Sequence, residues 1–584
     1  MAGRMFRSLM ILVLAAGLGA CATERTESTE HVDIIHPPAP PPPALTADPD
    51  ASPYGLFLAG EVARDGGHLS AADFYLGRAA AAEGEPMYLK ADAFNAALQA
   101  GDVAAAAALV PDAADADDRH LAVLVRGVEA MAQDHDKEAY ALFTGPDIDY
   151  PPKTAAMLLA PFAAAGIGDE AHALASPDFD GDNVMQFVAA LDQAELYERY
   201  GKLQQAESTF KAMIAADGES DLALSTYGDF LERHGRWAEA TALFQTRLAH
   251  SPADGAAALF LARAQKHARP QPLPDLRQGA AGSLLIPAAA LIAQKQDVLA
   301  LEYLRLALRL DPASDEGWLM LGDLLAPADV DGARTAYANV SPRSDSYVPA
   351  RDKLALTYQN AGDHEAALKL ARETLAAAPC SRDAAVNLAD LLRSDDQYTE
   401  SASVLSKLID APGATPDWRI YYLRASSYDE IGDATRTQAD LDMALKLAPD
   451  EPELLNFQGY FWIDQGQHLK EALNMVQRAA TAEPQSGEII DSLGWAYYRL
   501  GDYKSAVDKL EQAITLDPSI PEVNDHLGDA YWRVGRKTEA QFQWRRVLSL
   551  EPDAKLKARA LSELASPLGP DAPQTPAPPP ANTP

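Results

Sequence analysis

Small and apolar residues recur along this chain at helical spacing, and the recurrence itself repeats. Between residues 487 and 520, Leu493, Gly494 and Tyr497 fall on one face of a predicted helix, while Ala506, Leu510 and Ala513 form the inward face of a second. Gly494 is small where a neighbouring helix must come close. Gly501 and Asp502 interrupt the pattern between the two helices, as glycine does at a helix C-terminus, and Pro518 stops the second helix. Gly494, Ala506 and Pro518 are spaced by twelve. Gly528, Ala540 and Pro552 repeat that set 34 residues later, with Tyr531, Gly535 and Trp544 in register.

The same clock runs back along the chain with slips. Ala425, Tyr428, Gly432, Ala444 and Pro449 fit one unit, and Gly459, Trp462, Ala472 and Pro484 fit another with one extra residue. Ala355, Tyr358, Gly362, Ala367 and Pro379 fit a third. Gly228, Gly235, Ala240 and Pro252 follow Ala194, Tyr197, Gly201 and Ala206 by one period, and Gly60, Ala72, Leu76 and Ala79 fit near the start. Residues 87–180 are degenerate in pattern but helical and alanine-rich. A 34-residue helix–turn–helix period resembles the tetratricopeptide repeat (TPR). One such unit cannot bury its apolar face alone, so units stack. The expected fold is all-α, a superhelical TPR solenoid of about ten to twelve repeats. The expected layout is an N-terminal block at 53–264, a Pro-rich loop at 265–283 carrying Pro270, Pro272 and Pro274, and a C-terminal block at 284–566. A Pro-rich tail follows at 567–584.

The chain has 584 residues and a formal net charge of −36. That charge disfavours nucleic acid and anionic lipid as bulk partners. At the N-terminus, Arg4 and Arg7 precede the apolar run Leu9 to Leu18, which suits a signal peptide (1–20) and is too short to span a bilayer. The run ends in Leu18-Gly19-Ala20-Cys21. This resembles the lipobox of bacterial lipoproteins, which implies cleavage before Cys21 and acylation of Cys21, palmitate included. Ala22 stands where an Asp would favour inner-membrane retention, so a lipid anchor in the outer membrane, facing the periplasm, is expected. Residues 21–52 then read as the lipidated Cys and a tether, stiffened by Pro37, Pro38 and Pro40–Pro43. With Cys21 acylated no disulfide framework is expected, and Cys380 is expected to be a tucked-in structural thiol.

Motifs for chemistry are missing. There is no H-E-x-x-H, P-loop, G-x-S-x-G or paired C-x-x-C, and the twelve His lack metal-ligand spacing. Asp178, Asp180 and Asp182 depart from a calcium loop at Asn183 and Ala189, and Asp395–Asp396 read as loop or cap residues. No metal, cofactor or catalytic residue is expected.

In the repeat class that this chain resembles, first helices line the concave face, with positions two, five, nine, twelve and thirteen pointing into the groove. In the last four units these positions include Tyr422, Asn456, Tyr460, Asp491, Trp495, Tyr498, Asp525, Asp529 and Trp532. Aromatic rings with a few carboxylates and an amide make a peptide-gripping surface. On this reading, replacing Trp495 and Tyr498 by alanine weakens partner capture and leaves melting nearly unchanged. The last unit also carries a basic group, Arg533, Arg536, Lys537, Arg545 and Arg546, unusual in so acidic a chain. It is a candidate dock for an acidic partner or an acidic flank of another copy, or else a solvated cap.

Two segments sharpen the resemblance, Asn456-Phe-Gln-Gly-Tyr460 and Asp491-Ser-Leu-Gly-Trp-Ala-Tyr-Tyr-Arg-Leu-Gly501. They resemble the C-terminal repeats of outer-membrane TPR lipoproteins that act as adaptors for periplasmic carboxyl-terminal processing proteases. That family's solenoid wraps the protease or its substrate and promotes degradation of cell-wall hydrolases. The resemblance implies a non-catalytic adaptor whose partners are such a protease and such hydrolases. The alternative is a structural scaffold for envelope assembly, in polysaccharide export, division or outer-membrane protein insertion.

Overall fold

The architecture was obtained as a computed structural model, which describes residues 51–81, 88–109, 116–179, 181–216, 220–252, 254–411 and 415–567. The signal peptide, Cys21, nearly all of the tether and the tail beyond residue 567 lie outside the described residues, as does Asp180. Within them the chain forms thirty helices and no strand.

Successive helices pair as antiparallel neighbours, and the glycines explain why they pack so closely. A Cβ on Gly494 would sit 2.6 Å from Leu510 Cγ, and one on Gly528 2.6 Å from Trp544 Nε1. In these two pairs the first helix therefore needs a glycine where a large side chain of the second crosses it. Gly494→Val is expected to cost about 1–3 kcal/mol through overpacking, read as a lower denaturation midpoint. An unchanged midpoint would mean the helices do not meet there. The turn between paired helices is set by Gly501 at φ +84°, followed by Asp502, whose side chain accepts from Ser505 N and starts the next helix.

The chain divides into two compact units, Met1–Ala384 and Ala385–Pro584. The expected block boundary at 265–283 is corrected by the structure. Pro270, Pro272 and Pro274 do precede a helix start, but Asp275 ends the irregular stretch. Its carboxylate accepts from Arg277 N and Gln278 N, while Gln278 accepts from Asp275 N. This capping box starts the helix Leu276–Ala293, so only the stretch before it is loop.

Inside the N-terminal unit that helix and the next fold back onto earlier repeats. Leu276–Ala293 is long and apolar enough to cross a membrane by length and composition, yet it packs on the helices Pro152–Gly166 and Asn183–Arg199. A Cβ on Gly279 would meet the Phe162 ring at 2.5 Å, and Ser283 Oγ donates to buried Asp192 at 2.8 Å. Asp297–Leu310 lies on Tyr88–Ala100 and Ala116–Ala132. There Arg309 makes a bidentate bond to Glu129 (2.7 and 2.9 Å), and Arg305 Nε donates to the Gln99 carbonyl at 2.9 Å. The early repeats thus spend an inner surface on their own chain.

Candidate protein-binding face of the C-terminal unit

The C-terminal unit builds one layer from the first helices of its repeats. These are Trp418–Glu430, Pro452–Gln465, Gly487–Arg499 and Pro521–Arg533, closed by the terminal helix Ala554–Ala565. Residues one period apart meet in this layer. Tyr422 stands edge-on to Phe457 at 5.5 Å. Trp495 stacks on Tyr498 at 4.6 Å and on His526 of the next first helix at 4.1 Å. His526 Nδ1 lies 2.9 Å from Asp491 Oδ2.

The terminal helix inserts the centre of a charge cluster. Arg559 Nη2 donates to Asp529 Oδ2 and its Nε to Glu563, at 2.6 and 3.0 Å, and Nη1 pairs with Asp525 Oδ2 at 3.2 Å. The guanidinium also lies 5.7 Å from the Trp495 ring centroid. Asp529 Oδ1 accepts from Trp544 Nε1 at 3.2 Å. The three carboxylates lie close enough together to recommend a metal site, but the guanidinium bridges all three. Burial, then the Asp529 and Asp525 charges, push the Glu563 carboxyl up to about 9, with Arg559 opposing. Burial raises Asp525 as well, against Arg559.

The sequence-selected residues separate into two sets. Asp491, Trp495, Tyr498, Asp525 and Asp529 are all buried, which corrects the expectation that they are open groove contacts. Each side chain is met by the next repeat or by the terminal helix, so the layer consumes them. Asn456 is buried too, but its Oδ1 has no hydrogen-bond partner. Tyr422, Tyr460 and Trp532 are half-buried and present part of their rings. Burial, followed by the charges of Glu453 and Glu488, holds the Tyr422 hydroxyl above its ordinary pKa. Burial, Asp491 and Asp464 do the same to Tyr460.

The basic group does not form one patch. Arg533 donates to Tyr498 OH at 3.3 Å, and Arg536 bonds Glu511 (2.6 Å) and Glu539 (3.1 Å) while covering the Tyr531 ring. Lys537 lies over Trp532 at 4.9 Å and Arg545 near Phe542 at 6.0 Å. Lys537, Arg545 and Arg546 stay exposed. Cys380 is exposed rather than tucked in, because it falls in the turn after the helix His364–Ala377 instead of on a helix face. Asp182 caps the helix Asn183–Arg199, accepting from Val184 N and Met185 N.

Sequence reasoning passed over Glu453, Glu488 and Glu522, which take position two in three successive units, and Arg559 and Glu563 of the terminal helix. The same clock reaches them all. Asp491, Asp525 and Arg559 are 34 apart, as are Trp495, Asp529 and Glu563.

Family models agree with the repeat architecture. The family model described as "TPR repeat" matches residues 494–535, and the one described as "Tetratricopeptide repeat" matches 191–254 and 353–416. A TPR repeat-containing protein of Pseudomonas aeruginosa is 27% identical over 184 residues, which is 30% of each chain. The chain thus spans under a third of the length of that curated relative. Among solved structures, the APC/C hetero-tetramer Cut9–Hcn1 aligns over 88% of this chain and 96% of that chain, at 14% identity and TM-score 0.37. A TPR protein of Parabacteroides merdae aligns over 49% of this chain and 98% of that chain, at 14% identity and TM-score 0.34. The chain carries tetratricopeptide repeats, and repeats of this class are generally non-catalytic protein-binding scaffolds.

Proposed function

We propose that this chain is a lipid-anchored adaptor at the periplasmic face of the outer membrane. Its C-terminal unit would hold a protein partner and present it to a periplasmic processing protease. The observation that carries the binding part is the division of labour between the units. The N-terminal unit covers its early repeats with its own helices, whereas the first-helix layer of the C-terminal unit keeps half-exposed Tyr422 and Tyr460 beside exposed Glu453, Glu488 and Glu522. Half-exposed rings offer contact area at low entropy cost, and the carboxylates add direction.

The address rests on Cys21 and the apolar run before it. Two or more acyl chains make a lasting anchor, at roughly 0.8 kcal/mol per buried CH₂. Cys21→Ser is expected to abolish metabolic labelling with palmitate and release the chain from membrane fractions. Labelling retained in that variant would remove the lipoprotein reading. The partner is tested by affinity capture with residues 22–584 from envelope extract, read by mass spectrometry. Recovery of a carboxyl-terminal processing protease with cell-wall hydrolases supports the adaptor. Recovery of export, division or insertion components without a protease would replace it by an assembly scaffold.

A further inference from the structure

We infer that the first-helix layer of the C-terminal unit recognises an extended cationic segment of its partner, presenting about one basic side chain per repeat. This rests on the scaffold reading above and gives it a chemistry. Three consecutive first helices carry one stripe with the spacing i, i+3, i+7. The stripes are Glu453–Asn456–Tyr460, Glu488–Asp491–Trp495 and Glu522–Asp525–Asp529. That spacing puts all three members of a stripe on one helix face. The outermost member is an exposed glutamate each time. Among the described residues, no ion pair joins any of these glutamates to a cation.

The middle member of every stripe is an acceptor with lone pairs to spare. Asn456 Oδ1 and Asp491 Oδ1 lack a hydrogen bond, and Asp525 is answered only by the ion pair of its Oδ2 with Arg559, although the three side chains are more than nine-tenths buried. An unanswered buried acceptor is costly, so a donor brought against it is strongly favoured. At the last stripe the chain itself demonstrates which donor fits. Arg559 places a guanidinium between Asp525 and Asp529, against the Trp495 ring. The middle stripe receives His526 on one oxygen of Asp491 and the edge of the Arg559 site over its Trp495 ring, leaving Asp491 Oδ1 open, and among the described residues no cation bonds the Asn456 stripe. Those two stripes repeat the acceptor and the ring that the Arg559 site uses, in the order acid, acceptor, aromatic. A partner's arginine or lysine would complete them as Arg559 completes the last.

The negative potential of the face is visible in its own titrating groups. Burial and then the Asp491 and Glu453 charges raise Glu488. Burial, Glu430 and Asp464 raise Asp429 to about 6, with Lys555 of the terminal helix opposing. Carboxylates that repel one another at this density gain from any cation that enters, and an acidic segment is excluded. Packed helices lie about 10 Å apart and an extended chain advances about 3.3 Å per residue, so matched basic residues fall at about every third position.

The test uses the chain 22–584 and a fluorescein-labelled ten-residue peptide with arginine at every third position and serine between, followed by anisotropy. A glutamate version and a version with its arginines clustered at one end serve as comparisons. The spaced-arginine peptide is expected to bind about tenfold or more tighter than either, with affinity falling steeply between about 50 and about 200 mM salt. The combined variant Glu453→Gln, Glu488→Gln, Glu522→Gln is expected to lose about tenfold or more of that affinity without a change in melting, since all three side chains are exposed. Asp442→Asn, Glu471→Gln and Asp508→Asn together remove the same charge from exposed positions on second helices and should leave binding intact. Equal losses in the two triple variants would reduce the effect to the net charge of the chain and overturn the inference. So would equal binding of the glutamate peptide. If envelope proteins are captured equally by the wild-type chain and the first-helix triple variant, the scaffold reading stands and this inference falls. If neither captures anything, the scaffold reading itself falls.

Discussion

Arg559→Ala is expected to destabilise the C-terminal unit by about 3–5 kcal/mol, the usual cost of removing one partner from a buried charge network. Asp525 and Asp529 are completely buried and Glu563 nearly so, and all three lean on this one guanidinium. The cheapest response is for the helix Ala554–Ala565 to leave, because it packs mainly on the last repeat and reaches the one before it through Arg559 over the Trp495 ring. Hydrogen exchange should therefore rise over residues 554–565 well before it rises over 418–516. Protection retained there would mean that apolar contacts of Leu556 and Ala560 hold the helix unaided.

The same cluster gives a pH dependence with a definite sign. Glu563 is held up to about 9 in the folded chain, by burial first and by Asp529 and Asp525 next. A carboxyl whose folded pKa is raised binds its proton more tightly when folded. Its contribution is complete below the ordinary glutamate pKa and is lost as pH rises through about 9. Docking of the terminal helix should weaken as pH rises from about 4.5 to about 9 and level off above that, and Glu563→Gln should flatten that slope. An unchanged slope in the variant would place the titrating group elsewhere.

Trp495→Ala carries the second large effect. The ring is 3% exposed, with Tyr498 on one side, His526 on the other and Arg559 beyond. Truncating so large a buried ring costs about 3–5 kcal/mol. It also strips His526 of its stacking partner and loosens the imidazole from Asp491. The expected result is a large drop in the melting of the C-terminal unit, with Trp495→Phe recovering part of it. This reverses the expectation drawn from sequence position, that binding alone would suffer. Melting unchanged by Trp495→Ala would restore the ring to the groove.

What the sequence revealed and what it concealed follow from one cause. The glycine–alanine–proline clock is written by close helix crossings and helix ends, which are local and repeat with the unit. Gly494, Gly501 and Asp502 could therefore be assigned before any coordinates. Exposure within the layer is not local. Asp525 and Asp529 look like groove residues until a helix beginning at Ala554 carries Arg559 between them. Likewise Leu276–Ala293 reads as the end of a loop plus a repeat helix, because nothing nearby in sequence announces that Phe162 and Asp192 await it. Asp275 and Gln278 did announce its start, through a capping pattern masked by the prolines before it. Glu453, Glu488 and Glu522 were legible from the clock alone, but single acidic residues draw no notice until their neighbours prove to be acceptors without donors.

The claim on which the rest depends is that a protein partner lies on the first-helix layer of the C-terminal unit. Photocrosslinking in envelope extract tests it most directly. The crosslinking group is placed in turn at Tyr422 and Tyr460, and at Met443 and Asp508, which are exposed positions on second helices. Crosslinks to a protein partner from Tyr422 and Tyr460, lost when Glu453, Glu488 and Glu522 are neutralised, are the expected result. Crosslinks from Met443 and Asp508 alone would put the partner on the opposite layer and contradict the account.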